Sequence, residues 1–205
     1  MPLLPPCQEP PPPSPQSPSP SASDHLRQAV EVFGERLGAA DPMVLSSPSP
    51  CEGWTGTDVV VHVALNLLGF SEALRGGDYR ATQPPSDLDP HQAWVRARES
   101  VLTDLAAFDA RGIPDTRVRI GEETRTAEFL LVALVRDVTI HAWDLARAVG
   151  GDDRLPADLV DAVLADMPAI TEQMRASGRY GHILATAQEA GAQERMLALA
   201  GRAML

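Results

Sequence analysis

The chain has 205 residues, enough for one ordinary domain with a real core, with 44% hydrophobic residues, 4% aromatic residues and a formal net charge of −11. All 17 basic residues are arginine, so a Schiff-base lysine, a pyridoxal lysine and a phosphate-loop lysine are excluded together. An acidic chain without a basic cluster also argues against nucleic acid as a partner, because phosphate contacts dominate that affinity.

Residues 1–22, MPLLPPCQEPPPPSPQSPSPSA, form a proline-rich tail, with ten prolines in the first 20 positions. Proline at that density forbids helix and sheet, and the tail is read as extended or disordered. It has no charged n-region and no long apolar h-region, so it is not a secretory signal. Two cysteines, Cys7 and Cys51, make no disulfide framework. No segment is read as long enough to span a membrane. The expectation is a cytoplasmic protein with reduced thiols and no membrane partner, monomeric or homodimeric.

The domain proper is read as 23–205. A first helix is predicted over about 24–38, capped by Ser23 or Asp24, with Leu26, Ala29, Val30, Phe33 and Leu37 at spacings of three and four. SSPSPCEGW, residues 46–54, is a loop. Thr55 and Asp58 then have capping-box form and open a second helix, about 56–74. Its many valines make a strand the rival, but length and missing alternation favour helix. GGDYRATQPPSDLDP is a loop, a third helix follows over about 90–110, and a brief extended excursion surrounds a turn at Gly121. The fourth helix, about 126–149, stops at Gly150 and Gly151. A fifth, about 156–176, starts at Pro156, and the last covers about 191–203. The pattern is all-α, an up-and-down four-helix bundle with one longer connection and extra short helices.

The fourth helix carries polar residues where its apolar neighbours Leu134, Val135, Val138, Ile140, Leu145 and Val149 require burial. At about 100° per residue, Asp137 and His141 lie ~40° apart and Asp144 ~20° from Asp137, all on one narrow face. Buried acids are expensive unless paired or bound to a cation. An acid and a histidine at i and i+4 make a two-ligand claw, and the third ligand must come from another helix. His62 is the histidine placed inside another apolar helical run, VVVHVALNLL. His62, Asp137 and His141 form a two-His-one-carboxylate set suited to zinc, nickel, iron or manganese. Three protein ligands leave a position for water or substrate. The competing assignment is electrostatic: Asp137 paired with Arg147, and Asp144 with Arg147 or Arg202. His25, His91 and His182 fall in polar or loop settings.

Two segments, SPCEGWTGTDVVVHV and RDVTIHAWDLARAVG, together resemble the N-terminal domain of the mycothiol-dependent maleylpyruvate isomerases, part of the DinB/YfiT-like metal-binding superfamily. The chain end, ERMLALAGRAML, looks like that of a single-domain metal-binding branch, and the resemblance covers about residues 24–205. It implies a four-helix bundle holding one divalent metal, usually zinc, on His62, Asp137 and His141. Relatives often carry Glu where Asp137 stands, and the shorter Asp must approach more closely or bind through water. Asp144 matches the family's His-x-x-Asp, which implies a residue orienting a ligand or tying helices together, and a reserve ligand. Trp54 and Trp143 match family positions as packing anchors.

Cys51 is set about 16 Å from His62 by helix rise and read as a small buried residue. The implied chemistry is attack by a low-molecular-weight thiol, mycothiol or a substitute, on a small-molecule electrophile, with Arg202 as a contact for the thiol's carboxylate. The two-domain isomerases carry a further C-terminal domain, so a thiol-dependent transferase or isomerase other than the maleylpyruvate enzyme is expected. The competing class is a non-enzymatic metal-binding or metal-stabilised interaction module.

Overall fold

A computed structural model describes residues 20–82, 89–111, 116–176, 178 and 181–204. Cys7 and nearly all of the proline-rich segment lie outside the described residues. Six α-helices are described: α1 (Ala22–Ala39), α2 (Gly56–Leu74), α3 (Pro90–Arg111), α4 (Ala127–Val149), α5 (Ala157–Ala176) and α6 (Ala192–Leu199). Strands β1 (Arg117–Ile120) and β2 (Glu123–Thr126) pair antiparallel around Gly121 and Glu122, the expected extended excursion. Short 3-10 turns at Pro42–Ser46 and Tyr79–Ala81 interrupt the first two connections.

Helices α1–α4 make the bundle. α1 lies along α4, α2 along α3, and α2 also against α4. The shared core holds Phe33, Leu67, Phe70, Leu131, Leu134 and Trp143, with the Phe33 and Trp94 rings 4.8 Å apart. α5 and α6 pack on each other and extend the same core with Leu159, Val163, Met167, Met196 and Leu197.

Local chemistry explains the helix limits. The first cap is Ser21 rather than Ser23 or Asp24: the Ser21 hydroxyl accepts from the Asp24 N–H, and the Asp24 carboxylate accepts from the Ser21 N–H. Ser23 is instead buried, donating to Asp109 at 2.7 Å. Thr55 and Asp58 form the expected reciprocal box at the start of α2. α4 ends at Gly150 in the left-handed conformation.

α6 is shorter than expected and stops at Leu199 because Gly201 turns the chain at φ +75°. A Cβ on Gly201 would stand 2.8 Å from the Gly181 backbone, so the close approach of the two segments requires glycine at 201. The Gln193 side chain bonds Leu155 N–H and Asp153 C=O at 2.8 and 2.9 Å, tying α6 to the α4–α5 connection.

By length and composition α2 is long and apolar enough to cross a membrane, with mean hydropathy 1.3, against the expectation that no segment would be. Within the fold 56% of that window is buried, and the apolar surface is that of a central bundle helix.

Candidate metal centre

α2 and α4 face each other, and their two polar interruptions meet. His62 Nε2 stands 3.4 Å from Asp137 Oδ1, and His141 Nε2 stands 3.6 Å from the same oxygen. The three donor atoms all lie within 4.8 Å of one another. Ligands ~2.1 Å from one tetrahedral ion would be separated by about 3.4 Å, so the spacing suits a small divalent cation. The His62 and Asp137 side chains are 33% and 28% exposed, whereas that of His141 is 9% exposed. The group is therefore anchored at its α4 side and open to solvent between His62 and Asp137.

The opposite edge of the His141 ring meets a second set of groups. Its Nδ1 donates to Asp144 Oδ2 at 2.9 Å. Asp144 is wholly buried and also accepts from Arg202 Nε and Nη2 at 3.2 and 3.0 Å. The Cys51 thiol donates to Asp144 Oδ2 at 3.2 Å and accepts from Arg202 Nη2 at 2.8 Å. Cys51, His141 and Asp144 also bring ligand atoms together, but the Arg202 guanidinium already provides a cation there. His141 thus points its two nitrogens at two different neighbourhoods. The one on the Nε2 side contains no guanidinium among the hydrogen bonds and ion pairs described.

The charges support each other. Burial works against the His141 cation, but Asp137, the hydrogen bond to Asp144 and the Cys51 contact push its pKa up to about 10. Burial also works against the Asp137 anion, yet the charge of His141, the nearby His62 ring and the hydrogen bond from Asn66 hold its carboxyl well below the usual range. Asp144 is likewise depressed: burial opposes ionisation, and His141 and Arg202 outweigh it.

Trp54 covers this end of the bundle. Its ring stacks on His141 at 5.8 Å between centroids and 16° between planes, and lies 4.9 Å from the His62 ring. Trp143 is fully buried in the core, with the Arg147 guanidinium 5.8 Å from its ring centroid.

The expected residues are distributed as follows. His62, Asp137 and His141 come together, and Asp144 reaches His141 through Nδ1. Arg202, expected at a thiol's carboxylate, directs its guanidinium inward to Asp144, Cys51 and the Ala200 carbonyl, and its side chain is 10% exposed. Arg147 pairs with Asp153, not with Asp137 or Asp144. His25, His91 and His182 belong to neither donor group.

The reading of Cys51 as a remote apolar residue is overturned: it is partly exposed and lies 3.9 Å from His141 Nδ1. The helix-rise distance was measured along α2 from His62. The loop instead folds back, with Ser49 N–H bonding Trp54 C=O at 2.8 Å, and meets α4.

Sequence reasoning also missed Asn66 and Tyr79. The Asn66 Nδ2 donates to Asp137 Oδ2 and to His62 Nε2, both at 2.9 Å, and the Tyr79 hydroxyl donates to Asn66 Oδ1 at 3.0 Å. A signal for Asn66 existed: it stands four residues after His62, an amide on the same face of an apolar helix. Tyr79 had none, because it reaches the site from the α2–α3 connection.

A family model described as the mycothiol maleylpyruvate isomerase N-terminal domain matches residues 26–146, more than half of the chain. Among curated proteins, an uncharacterised protein of Mycobacterium tuberculosis, found in strains CDC 1551 / Oshkosh and ATCC 25618 / H37Rv, is 26% identical over 154 residues, covering 75% of this chain and 81% of the relative. Among solved structures, the mycothiol-dependent maleylpyruvate isomerase superposes with a TM-score of 0.54 at 19% identity, covering 79% of this chain and 72% of that one. A histidine-to-alanine variant of that enzyme gives the same TM-score at 18% identity. At such identities the superpositions speak for the fold, the same helical DinB-like architecture. The family match, spanning both helices that carry His62, Asp137 and His141, shows that the chain belongs to the mycothiol maleylpyruvate isomerase N-terminal domain family.

Proposed function

We propose that the protein binds one divalent metal ion, zinc in the first instance, through His62, Asp137 and His141, and uses it with a mycothiol-type low-molecular-weight thiol to modify a small electrophile by transfer or isomerisation. The observation that carries this reading is the convergence of two imidazole Nε2 atoms on one oxygen of Asp137, at 3.4 and 3.6 Å, with the remaining side open to solvent. An ion held there supplies Lewis acidity that lowers the pKa of a thiol or water.

The protein groups have separable tasks. Asp144 holds the Nδ1 hydrogen of His141, so Nε2 is the nitrogen left to give up its proton to an incoming cation. Arg202 balances the charge of Asp144. Trp54 shields one side of both imidazoles from water. The family description supports a thiol co-substrate, and such thiols are kept reduced in the cytoplasm, where the reading locates the protein.

A non-enzymatic metal module would favour a fourth protein ligand closing the coordination. Asp144, the reserve candidate, approaches His141 from the Nδ1 edge, away from the Nε2 atom that faces Asp137, which favours the enzymatic reading.

Metal content by elemental mass spectrometry tests the proposal. About one equivalent is expected in wild type and His25→Ala, and its loss in His62→Ala and His141→Ala. Wild type holding under about a tenth of an equivalent after supply of zinc or nickel would overturn it. A loaded protein then justifies assays pairing thiols with electrophiles.

A further inference from the structure

The geometry points to Asn66 and Tyr79 as positioning residues for the metal centre: the Tyr79 hydroxyl orients the Asn66 amide, and the amide fixes the plane of the Asp137 carboxylate so that its free oxygen faces the imidazoles. This inference rests on the metal reading above and deepens it.

The Asp137 carboxylate has two oxygens with different surroundings. Oδ1 faces His62 and His141; Oδ2 accepts from Asn66 Nδ2 at 2.9 Å. A free aspartate side chain would turn its carboxylate plane about the last torsion, so that neither oxygen faced the imidazoles squarely. The Asn66 hydrogen bond removes that freedom. The amide cannot be reversed, because its own oxygen would then face a carboxylate oxygen at 2.9 Å. Tyr79 supports the same orientation by donating to Asn66 Oδ1 at 3.0 Å. The amide nitrogen also lies 2.9 Å from His62 Nε2, which ties it to both α2 and α4. Aspartate is the short carboxylate, so its reach depends strongly on orientation.

The tyrosine is itself built in. The turn Tyr79–Ala81 packs against α2 at Gly69, where an added Cβ would stand 2.7 Å from the Tyr79 carbonyl oxygen and 3.1 Å from its ring. The Asp78 side chain caps the turn by accepting from Arg80 N–H at 2.9 Å, and it also accepts from Gly121 N–H at 2.8 Å in the hairpin connection. Gly69 therefore controls, from outside the donor group, whether the phenol reaches Asn66.

The test is zinc affinity by chelator competition and the visible spectrum of the cobalt-loaded protein, for wild type, Asn66→Leu, Tyr79→Phe and Gly69→Ala. Melting of each metal-free protein runs alongside. Asn66→Leu should weaken zinc binding by about 10–100-fold, as loss of a ligand-orienting partner does, and change the cobalt spectrum. Tyr79→Phe, which deletes one oxygen and keeps the ring on Gly69, should weaken it in the same direction by less. Gly69→Ala should match Tyr79→Phe, and the double variant should lose no more than either single one. Wild-type affinity and spectrum in both Asn66→Leu and Tyr79→Phe would overturn the relay and leave the metal site standing. A wild type that takes up no metal would overturn both.

Discussion

His141 and Asp144, three residues apart on α4, are joined by an Nδ1–Oδ2 hydrogen bond of 2.9 Å that directs the other imidazole nitrogen toward Asp137. Asp144→Asn keeps the volume and removes the charge. Zinc affinity measured by chelator competition should fall by about 10–100-fold while the stoichiometry stays the same. Unchanged affinity would show that the tautomer of His141 is set elsewhere.

Arg202 answers a different question. Its guanidinium lies on the wholly buried Asp144, so Arg202→Met removes one of the two cations, with His141, that face this buried carboxylate. Urea unfolding should show a loss of about 3–5 kcal/mol, the usual cost of breaking a buried pair from one side. If Arg202 instead served a substrate carboxylate, the variant would keep its stability and raise KM alone.

Cys51 touches His141 from the Nδ1 edge. Cys51→Ala should retain zinc to within about twofold and leave the cobalt spectrum without loss of a thiolate band, because the donor group lies across the ring. Loss of that band in the variant would place sulfur in the coordination sphere instead.

The cap of α2 carries a pH dependence. Asp58 accepts from the Thr55 hydroxyl at 2.6 Å and from its N–H at 2.8 Å, and these bonds hold its carboxyl below the ordinary 3.8. A carboxyl depressed in the folded state contributes stability that is complete above its unfolded value and is lost as pH falls through the folded one. Thr55→Ala should cost about 1 kcal/mol at neutral pH, a drop of ~2–4 °C in Tm for a chain of this size. The difference from wild type should narrow in melts taken as pH falls below the ordinary 3.8 of an aspartate. A constant difference across that range would separate the cap from the ionisation of Asp58.

The helices were legible because the information that forms them is local. Thr55 and Asp58 meet their partners within one turn, Gly150 ends α4 by its own conformation, and the apolar positions of α2 and α4 repeat at helical spacing. The same periodicity put Asp137, His141 and Asp144 on one face and marked His62 as the histidine inside another apolar helix. Residue types and spacing thus determined an all-helical bundle and the side chains able to hold a cation.

Tertiary structure decided which nitrogen meets which acid. Periodicity along one helix contains no information about the far edge of an imidazole ring. Cys51 arrives there because its loop folds back, and Arg202 because Gly201 lets the end of α6 approach the backbone at Gly181. Tyr79 reaches Asn66 because α2 has no side chain at Gly69. Each of these contacts joins residues distant in sequence, and each depends on packing between segments rather than on the propensity of either one.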